Sequence, residues 1–262
     1  MKAIILSAGQ GKRLLPLTES TPKCLLPLSD HNGTDQITIL NWQLSQLEAA
    51  GVTECLIVTG FQAHKVEEHV KEHMAAHKGK MHIRTVFNPF YKVADNLSSV
   101  WIAREFMTED FILLNGDTLF TAPIAKRLIA QSNAPITLTV AIKDNYDDDD
   151  MKVCIKDSNI QNVSKKLPLE IVNGESIGMM MFRNEGIEKF ILACDHAIKQ
   201  EDGMKVFYLS VIDTLAANVQ IGTVIAEQDQ WGEVDFPADH SAACQKISNW
   251  IEAGLQSIRK AS

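Results

Sequence analysis

The chain has 262 residues, 45% of them hydrophobic, and a formal net charge of −8 at pH 7. That length can bury a full core in one or two domains, while the acidic balance argues against general affinity for nucleic acid or anionic membranes. Five scattered cysteines (Cys24, Cys55, Cys154, Cys194 and Cys244) without CxxC spacing read as reduced thiols, and the absence of a signal-peptide or membrane-span pattern makes a cytoplasmic protein the expectation.

Ala3-Ile4-Ile5-Leu6 is apolar with two β-branched residues, and predicts a buried strand over 3–7. It runs into Ser7-Ala8-Gly9-Gln10-Gly11-Lys12-Arg13-Leu14, where two glycines permit a sharp turn and close approach of a ligand. Backbone N–H groups in such a turn form an anion-binding concavity, to which Lys12, Arg13 and Lys23 add cations. The segment is built to hold a polyphosphate. A helix is predicted over 38–50, closed by Gly51, then a strand over 55–58, a polar His-rich helix over 62–78 and a strand over 83–87. A helix over 97–106 precedes a fourth strand, Phe111-Ile112-Leu113-Leu114, which ends in Asn115-Gly116-Asp117. This alternation predicts parallel strands with right-handed crossovers, and ligands beyond the strand C-termini. From 135 the pattern loosens into a strand over 135–142, a hairpin over 153–163 turning at 157–159, a strand over 177–182, helices over 185–199 and 207–218, a strand over 221–226 and a final helix over 237–259.

Three phosphate-loop patterns compete. A Walker A loop fails, because Leu6 and Arg13 stand where Gly and Ser or Thr are required, and Leu14 replaces the third glycine of a dinucleotide fingerprint. The run Gly9-x-Gly11-x-Arg13-Leu14-x-Pro16-Leu17-Thr18 with Pro22-Lys23-x-Leu25-x-Pro27 resembles the signature of the nucleotidyltransferases at nearly every defining place, departing at Lys12, where that family usually carries Thr or Ser. The resemblance implies an α/β fold: a Rossmann-like, mostly parallel sheet flanked by helices, with a smaller β-rich acceptor-binding portion. One domain is expected, about 1–134 binding the nucleotide, about 135–236 the acceptor, and 237–262 forming a C-terminal helix. It also implies that Leu6, Ala8, Gly9, Gly11, Lys12, Arg13 and Gly116 bind the nucleotide.

Asp117, at the end of a hydrocarbon strand and beside a glycine, suits a first magnesium ligand, since this ion takes one or two carboxylates together with phosphate oxygens and water. Strand alternation in Trp231-Gly232-Glu233-Val234-Asp235 points Glu233 and Asp235 to one face. The resemblance selects Asp235, at a strand end before a helix, as the second ligand and keeps Glu233 as the weaker candidate. A phosphate monoester, with a second pKa of about 6, needs no dedicated base to attack an α-phosphorus. It needs in-line placement and charge neutralisation, with Arg13 as a fork on the outer phosphates and Lys23 on the inner one as the catalytic cations.

Asn88-Pro89-Phe90-Tyr91-x-x-Ala94-Asp95-Asn96-Leu97-Ser98-Ser99-Val100-Trp101 resembles the segment over the base in cytidylyltransferases of the phosphocholine and aminoalkyl-phosphonate type, with Asn96 and Ser98 as base contacts. An Asx turn followed by a Ser N-cap fits the same letters. Ser164-Lys165-Lys166-Leu167-Pro168 and Gly174-Glu175 resemble the acceptor-binding part, giving Lys165, Glu175 and the further candidate Lys152; a solvated turn also accounts for adjacent lysines. Asp147 to Asp150 reads as a hydrated loop or as attraction for a cationic acceptor, with Tyr91, Trp101 or Trp231 as its aromatic face. His69, His73 and His77 would line one helix face, which reads as solvent-facing ahead of zinc.

The expected activity is a magnesium-dependent transfer from an NTP, CTP foremost, to a small phosphorylated acceptor such as phosphocholine, with release of pyrophosphate. A sugar-1-phosphate uridylyl- or thymidylyltransferase and a non-catalytic nucleotide-sugar sensor are the alternatives. A nucleoside triphosphate and a phosphorylated small molecule are the expected partners, without nucleic acid or membrane; assembly into a homo-oligomer is left open.

Overall fold

The computed structural model describes residues 1–28, 37–76 and 81–261, with side chains described up to Gly254. β1 (Lys2–Ser7), α1 (Ile39–Ala49), β2 (Glu54–Thr59), α2 (Ala63–Ala76), β3 (His82–Phe87), α3 (Asn96–Ile102) and β4 (Phe111–Asn115) alternate along the first part of the chain. β1 pairs in parallel with both β2 and β4, and β2 with β3, so the ends of these strands at Ser7, Thr59, Phe87 and Asn115 share one edge. Alternate side chains explain the layering: Ile4 joins a core with Leu97, Val100, Phe190 and Ile212, whereas Ala3 and Ile5 face Leu40, Leu44, Ile124 and Leu128 on the other side. α1 starts where the Thr38 hydroxyl accepts a hydrogen bond from the Asn41 amide at 3.1 Å, satisfying one orphan donor of its first turn.

The second part adds β5 (Thr118–Phe120), α4 (Ala122–Gln131), β6 (Ile136–Ala141), β7 (Lys152–Lys156), β8 (Asn159–Val163), β9 (Gly174–Phe182), α5 (Glu185–Ile198), α6 (Tyr208–Ala216), β10 (Ile221–Ala226), β11 (Trp231–Glu233) and α7 (Pro237–Ala261). The main sheet has the order β3-β2-β1-β4-β9-β6-β10-β8-β7. The α/β class expected from the sequence holds, and the sheet is parallel through its first half. β9 then inserts antiparallel between β4 and β6 and also meets β7, producing the β-rich portion.

The small ribbon of β5 and β11 matters most for the site. Glu233 pairs with Thr118, and the Val234 amide donates to the Asp117 carbonyl at 3.2 Å, so the Asp117 turn and the later acidic segment lie side by side. Leu14 of the first loop is buried in one cluster with Leu119, Val234, Ala243 and Ile247. The same apolar contacts therefore fix the basic loop, the Asp117 turn and the base of α7 relative to one another.

Candidate functional site

Beyond β1 the chain turns through Gly11, whose φ of +70° lies in the left-handed region. Glycine is needed there twice over, because an added Cβ would also come within 3.1 Å of the Lys23 side chain. Gly9 keeps ordinary φ and has open space in the Cβ direction, so the sharp turn is the work of Gly11. The Thr18 hydroxyl donates to the Gly11 carbonyl at 2.7 Å and holds the loop, and the Phe61 amide bonds the Ala8 carbonyl at 2.9 Å. Gly116 permits close approach of β4 to β1: a Cβ there would lie 2.5 Å from the Leu6 carbonyl oxygen.

Leu6, Gly9, Gly11, Arg13, Lys23, Gly116, Asp117 and Asp235 line one cavity of about 230 Å³. Lys23 spans its acidic wall, donating to Asp117 Oδ2 at 2.8 Å and Asp235 Oδ1 at 2.7 Å. Arg13 donates to Asp235 Oδ2 at 2.7 Å, reaches Asp149 at 3.3 Å and lies over the Phe236 ring at 4.9 Å. Burial presses the Lys23 ammonium toward neutrality, but Asp117 and Asp235 outweigh it and hold its pKa above the ordinary lysine value. Burial likewise opposes the charge on Asp235, yet Lys23 and then Arg13 hold its carboxyl below the usual range. Asp239 accepts hydrogen bonds from the Asp235 and Phe236 amides at 3.0 and 2.7 Å, fixing the backbone at the start of α7.

Among the described residues, Asp117, Glu233 and Asp235 form one group with a carboxylate oxygen from each within 4.8 Å of the others. Asp117 Oδ1 is buried and has no hydrogen-bond partner in the protein. An orphaned anionic oxygen beside two further carboxylates is a donor set that fits a hard divalent cation such as magnesium. β11 ends at Glu233 and Asp235 lies just past it, but Val234 is buried behind them and both acids face Asp117. The Glu233 carboxyl is pushed up to about 8 by the protein packed around it, and next by the charges of Asp117 and Asp235, although its side chain reaches solvent at the rim.

The acidic run is more than a hydrated loop. Asp147 Oδ1 accepts from the Asp149 and Asp150 amides, Asp149 faces Arg13 and Lys165, and Asp150 joins a partly buried chain in which Lys143 reaches it at 2.8 Å and buried Glu175 at 2.7 Å. Burial, only partly offset by Lys143, pushes the Glu175 carboxyl up to about 7. Lys152 is placed otherwise than expected: its buried ammonium donates to the backbone carbonyls of Asp147 and Lys165, so it ties the acidic loop to the Lys165 turn. Asn96 and Ser98 are also committed to the fold. Asn96 caps α6 through the Tyr208 amide at 2.9 Å, and buried Ser98 lies in a cluster with Asn88 and the Asp95 carbonyl. An Asx contact is present at Asn88, whose Oδ1 accepts from the Phe90 amide at 2.8 Å, but Ser98 lies inside α3 and the N-cap position is held by Asp95. Ala8 is buried behind the cavity wall, and Lys12 lines a neighbouring cavity.

Of the aromatic candidates, Trp101 is covered by Arg104 at 3.9 Å and donates to Asp195, while Trp231 packs against the core. Phe236 under Arg13 and Phe207, 5.9 Å from Lys165, hold the exposed faces beside these cations instead. Sequence reasoning missed Phe207, Phe236 and Lys143; adjacency to Asp235 was the available signal for Phe236. His69 is half-buried and bonded to Asn41 at 2.7 Å, and His77 lies outside the described residues.

The family model described as nucleotidyl transferase matches residues 2–164. A CMP-5'-(3-aminopropyl)phosphonate synthase from Streptomyces rubellomurinus is 28% identical, over 95% of this chain and 39% of its own length. A choline-phosphate cytidylyltransferase from Streptococcus pneumoniae is 32% identical, over 46% of each chain. The chain spans about two fifths to just over half of the length of the first curated relatives it matches. In three dimensions it resembles an inositol-1-phosphate CTP transferase from T. maritima, with a TM-score of 0.75, 19% identity, and coverage of 94% of this chain and 95% of that one.

Proposed function

The chain belongs to the nucleotidyl transferase family, and from that premise we propose that it transfers a nucleotidyl group from CTP to a small phosphorylated acceptor bearing a cationic group, with release of pyrophosphate. The observation that carries the reading is Lys23 bridging Asp117 and Asp235 in the wall of a cavity closed on its other side by the glycine loop. CTP is favoured because the two relatives described above are named for cytidylyl or CMP-linked products.

The acceptor phosphate supplies its own nucleophile: one of its oxygens bonds the α-phosphorus as the α–β bridging bond breaks, and the electron pair leaves on pyrophosphate. Repulsion between the two phosphates is the barrier the protein must lower. Lys23 places a compact charge in the cavity, and Arg13 offers a planar fork at its mouth. Magnesium held by Asp117 and Asp235, with Glu233 beside them, would supply further neutralisation at the α-phosphate. Lys165, paired with Asp149 on the acceptor side, is placed to take the acceptor phosphate. The acidic loop at Asp147 to Asp150, with Phe207 and Phe236, favours a cation at the acceptor's other end.

Pyrophosphate release measured across the four NTPs, with phosphocholine, phosphoethanolamine and hexose 1-phosphates as acceptors and magnesium present, tests the reading. Turnover with CTP and a phospho-amino alcohol is expected. Turnover with UTP and glucose 1-phosphate, and none with CTP, would move the chain to the sugar uridylyltransferases.

A further inference from the structure

A single carboxylate bridges the cations placed on the nucleotide side and on the acceptor side of the site. Asp149 Oδ2 lies 3.3 Å from Arg13 Nη1, at the cavity that Arg13 lines, and its Oδ1 lies 3.5 Å from Lys165 Nζ. Its neighbours are otherwise employed: Asp147 Oδ1 accepts from two amides of its own turn, and Asp150 pairs with Lys143. The turn is anchored on both sides of Asp149. Buried Lys152 donates to the carbonyls of Asp147 and Lys165, and Lys143 ties Asp150 to Glu175. Asp149 is exposed between these anchors, so its side chain can change rotamer while the loop stays in place. The exposed Phe207 ring lies 5.9 Å from the same Lys165 ammonium.

We propose that Asp149 selects the acceptor by charge: it is the counter-anion of Arg13 and Lys165 in the free protein, and the partner of the acceptor's own cation once substrate phosphates have taken those two residues. The inference rests on nucleotidyl transfer to a phosphorylated acceptor at this site, and names the residue that reads the acceptor's far end. A triphosphate at Arg13 and an acceptor phosphate at Lys165 carry more charge than one carboxylate and offer more oxygens to the donors, so they displace it from both. Asp149 is then an unpaired anion beside two phosphates. An acceptor that ends in an ammonium group restores the balance, with the Phe207 face beside it. A hexose phosphate brings no positive charge and meets the repulsion of Asp149, so the same carboxylate favours one class of acceptor and disfavours the other.

Pyrophosphate release with CTP and magnesium tests this, comparing phosphocholine with its uncharged isostere in which carbon replaces the quaternary nitrogen. Pairs as exposed as these are screened by solvent, so Asp149→Asn should lower the kcat/KM preference for phosphocholine over the isostere by about two- to fivefold. Asp149→Glu should keep most of the preference. Asp144→Asn, which removes an exposed charge from the same connection, should leave it unchanged. Calorimetry without acceptor should show CTP binding to Asp149→Asn about two- to fivefold more tightly than to wild type, because the internal competitor for Arg13 is gone. An unchanged preference in Asp149→Asn, or an equal fall in Asp144→Asn, would overturn the assignment. A wild-type protein that releases no pyrophosphate with either acceptor would sink the transfer reading; CTP affinity equal in wild type and Asp149→Asn would then sink the counter-anion role as well, and tighter binding by the variant would uphold it.

Discussion

Replacing Lys23 by methionine keeps most of the stem that packs against Gly11 but removes the charge between Asp117 and Asp235. The two hydrogen bonds lost, at 2.8 and 2.7 Å, are both charge-assisted, and the Lys23 side chain is only 13% exposed. At about 1.5–3 kcal/mol each they contribute about 3–6 kcal/mol gross, part of which offsets the desolvation of the ammonium. A net loss of about 3 kcal/mol is expected in metal-free buffer at pH 7, or roughly 6–12 °C in Tm for a chain of this size. Magnesium competes with the ammonium for the same carboxylate oxygens, so millimolar magnesium should raise the Tm of the variant more than that of the wild type. Differential scanning calorimetry with and without magnesium reads both effects. A variant as stable as wild type, or equal magnesium shifts in the two proteins, would refute the reasoning.

Gly178→Ala should cost about 2–4 kcal/mol in urea unfolding, because φ is +72° there and the new Cβ would sit 2.3 Å from the Asn115 side chain; a loss of stability below about 1 kcal/mol would contradict the packing. Glu175 titrates near its ordinary 4.5 when unfolded and at about 7 when folded, so between those values the folded state holds more protons and stability falls as pH rises. Glu175→Gln removes this loss, and its stability relative to wild type should improve by about 2–3 kcal/mol from pH 5 to pH 8. A pH-independent difference between the two proteins would show that the Glu175 carboxyl is not shifted upward.

The parts of the fold legible in sequence were those where one segment carries its own instruction. Ala3 to Ile5 and Phe111 to Leu114 are hydrocarbon stretches buried on both faces, and their continuous apolar letters say so. The hairpin turn was equally plain, with Asp157 and Ser158 both at positive φ between β7 and β8. What failed depends on distant partners. β9 is buried over its whole length, and nothing local distinguishes an antiparallel insertion from another parallel strand. β5 is three residues long, too short to show a period, whereas α4 buries Ile124, Ala125 and Leu128 on one face at helical spacing, a signal that the sequence carried and the predicted elements omit. At the site, Asp117 and Asp235 were reachable because each ends or follows a strand. The Arg13–Asp149 contact and the role of Lys152 as a strap between two loops arise from tertiary packing, and a charged letter alone reads as solvent-facing.

Steady-state pyrophosphate release by Asp117→Asn, against wild type with CTP, phosphocholine and magnesium, bears most directly on the claim that Lys23, Asp117 and Asp235 form the transfer centre. The substitution keeps the shape and the Gly116 turn but removes the anion whose second oxygen has no partner in the protein. A fall in kcat of at least about 10²-fold, with the fold intact by circular dichroism, is expected. Undiminished turnover would mean that phosphate chemistry, if the chain performs it, is carried out elsewhere.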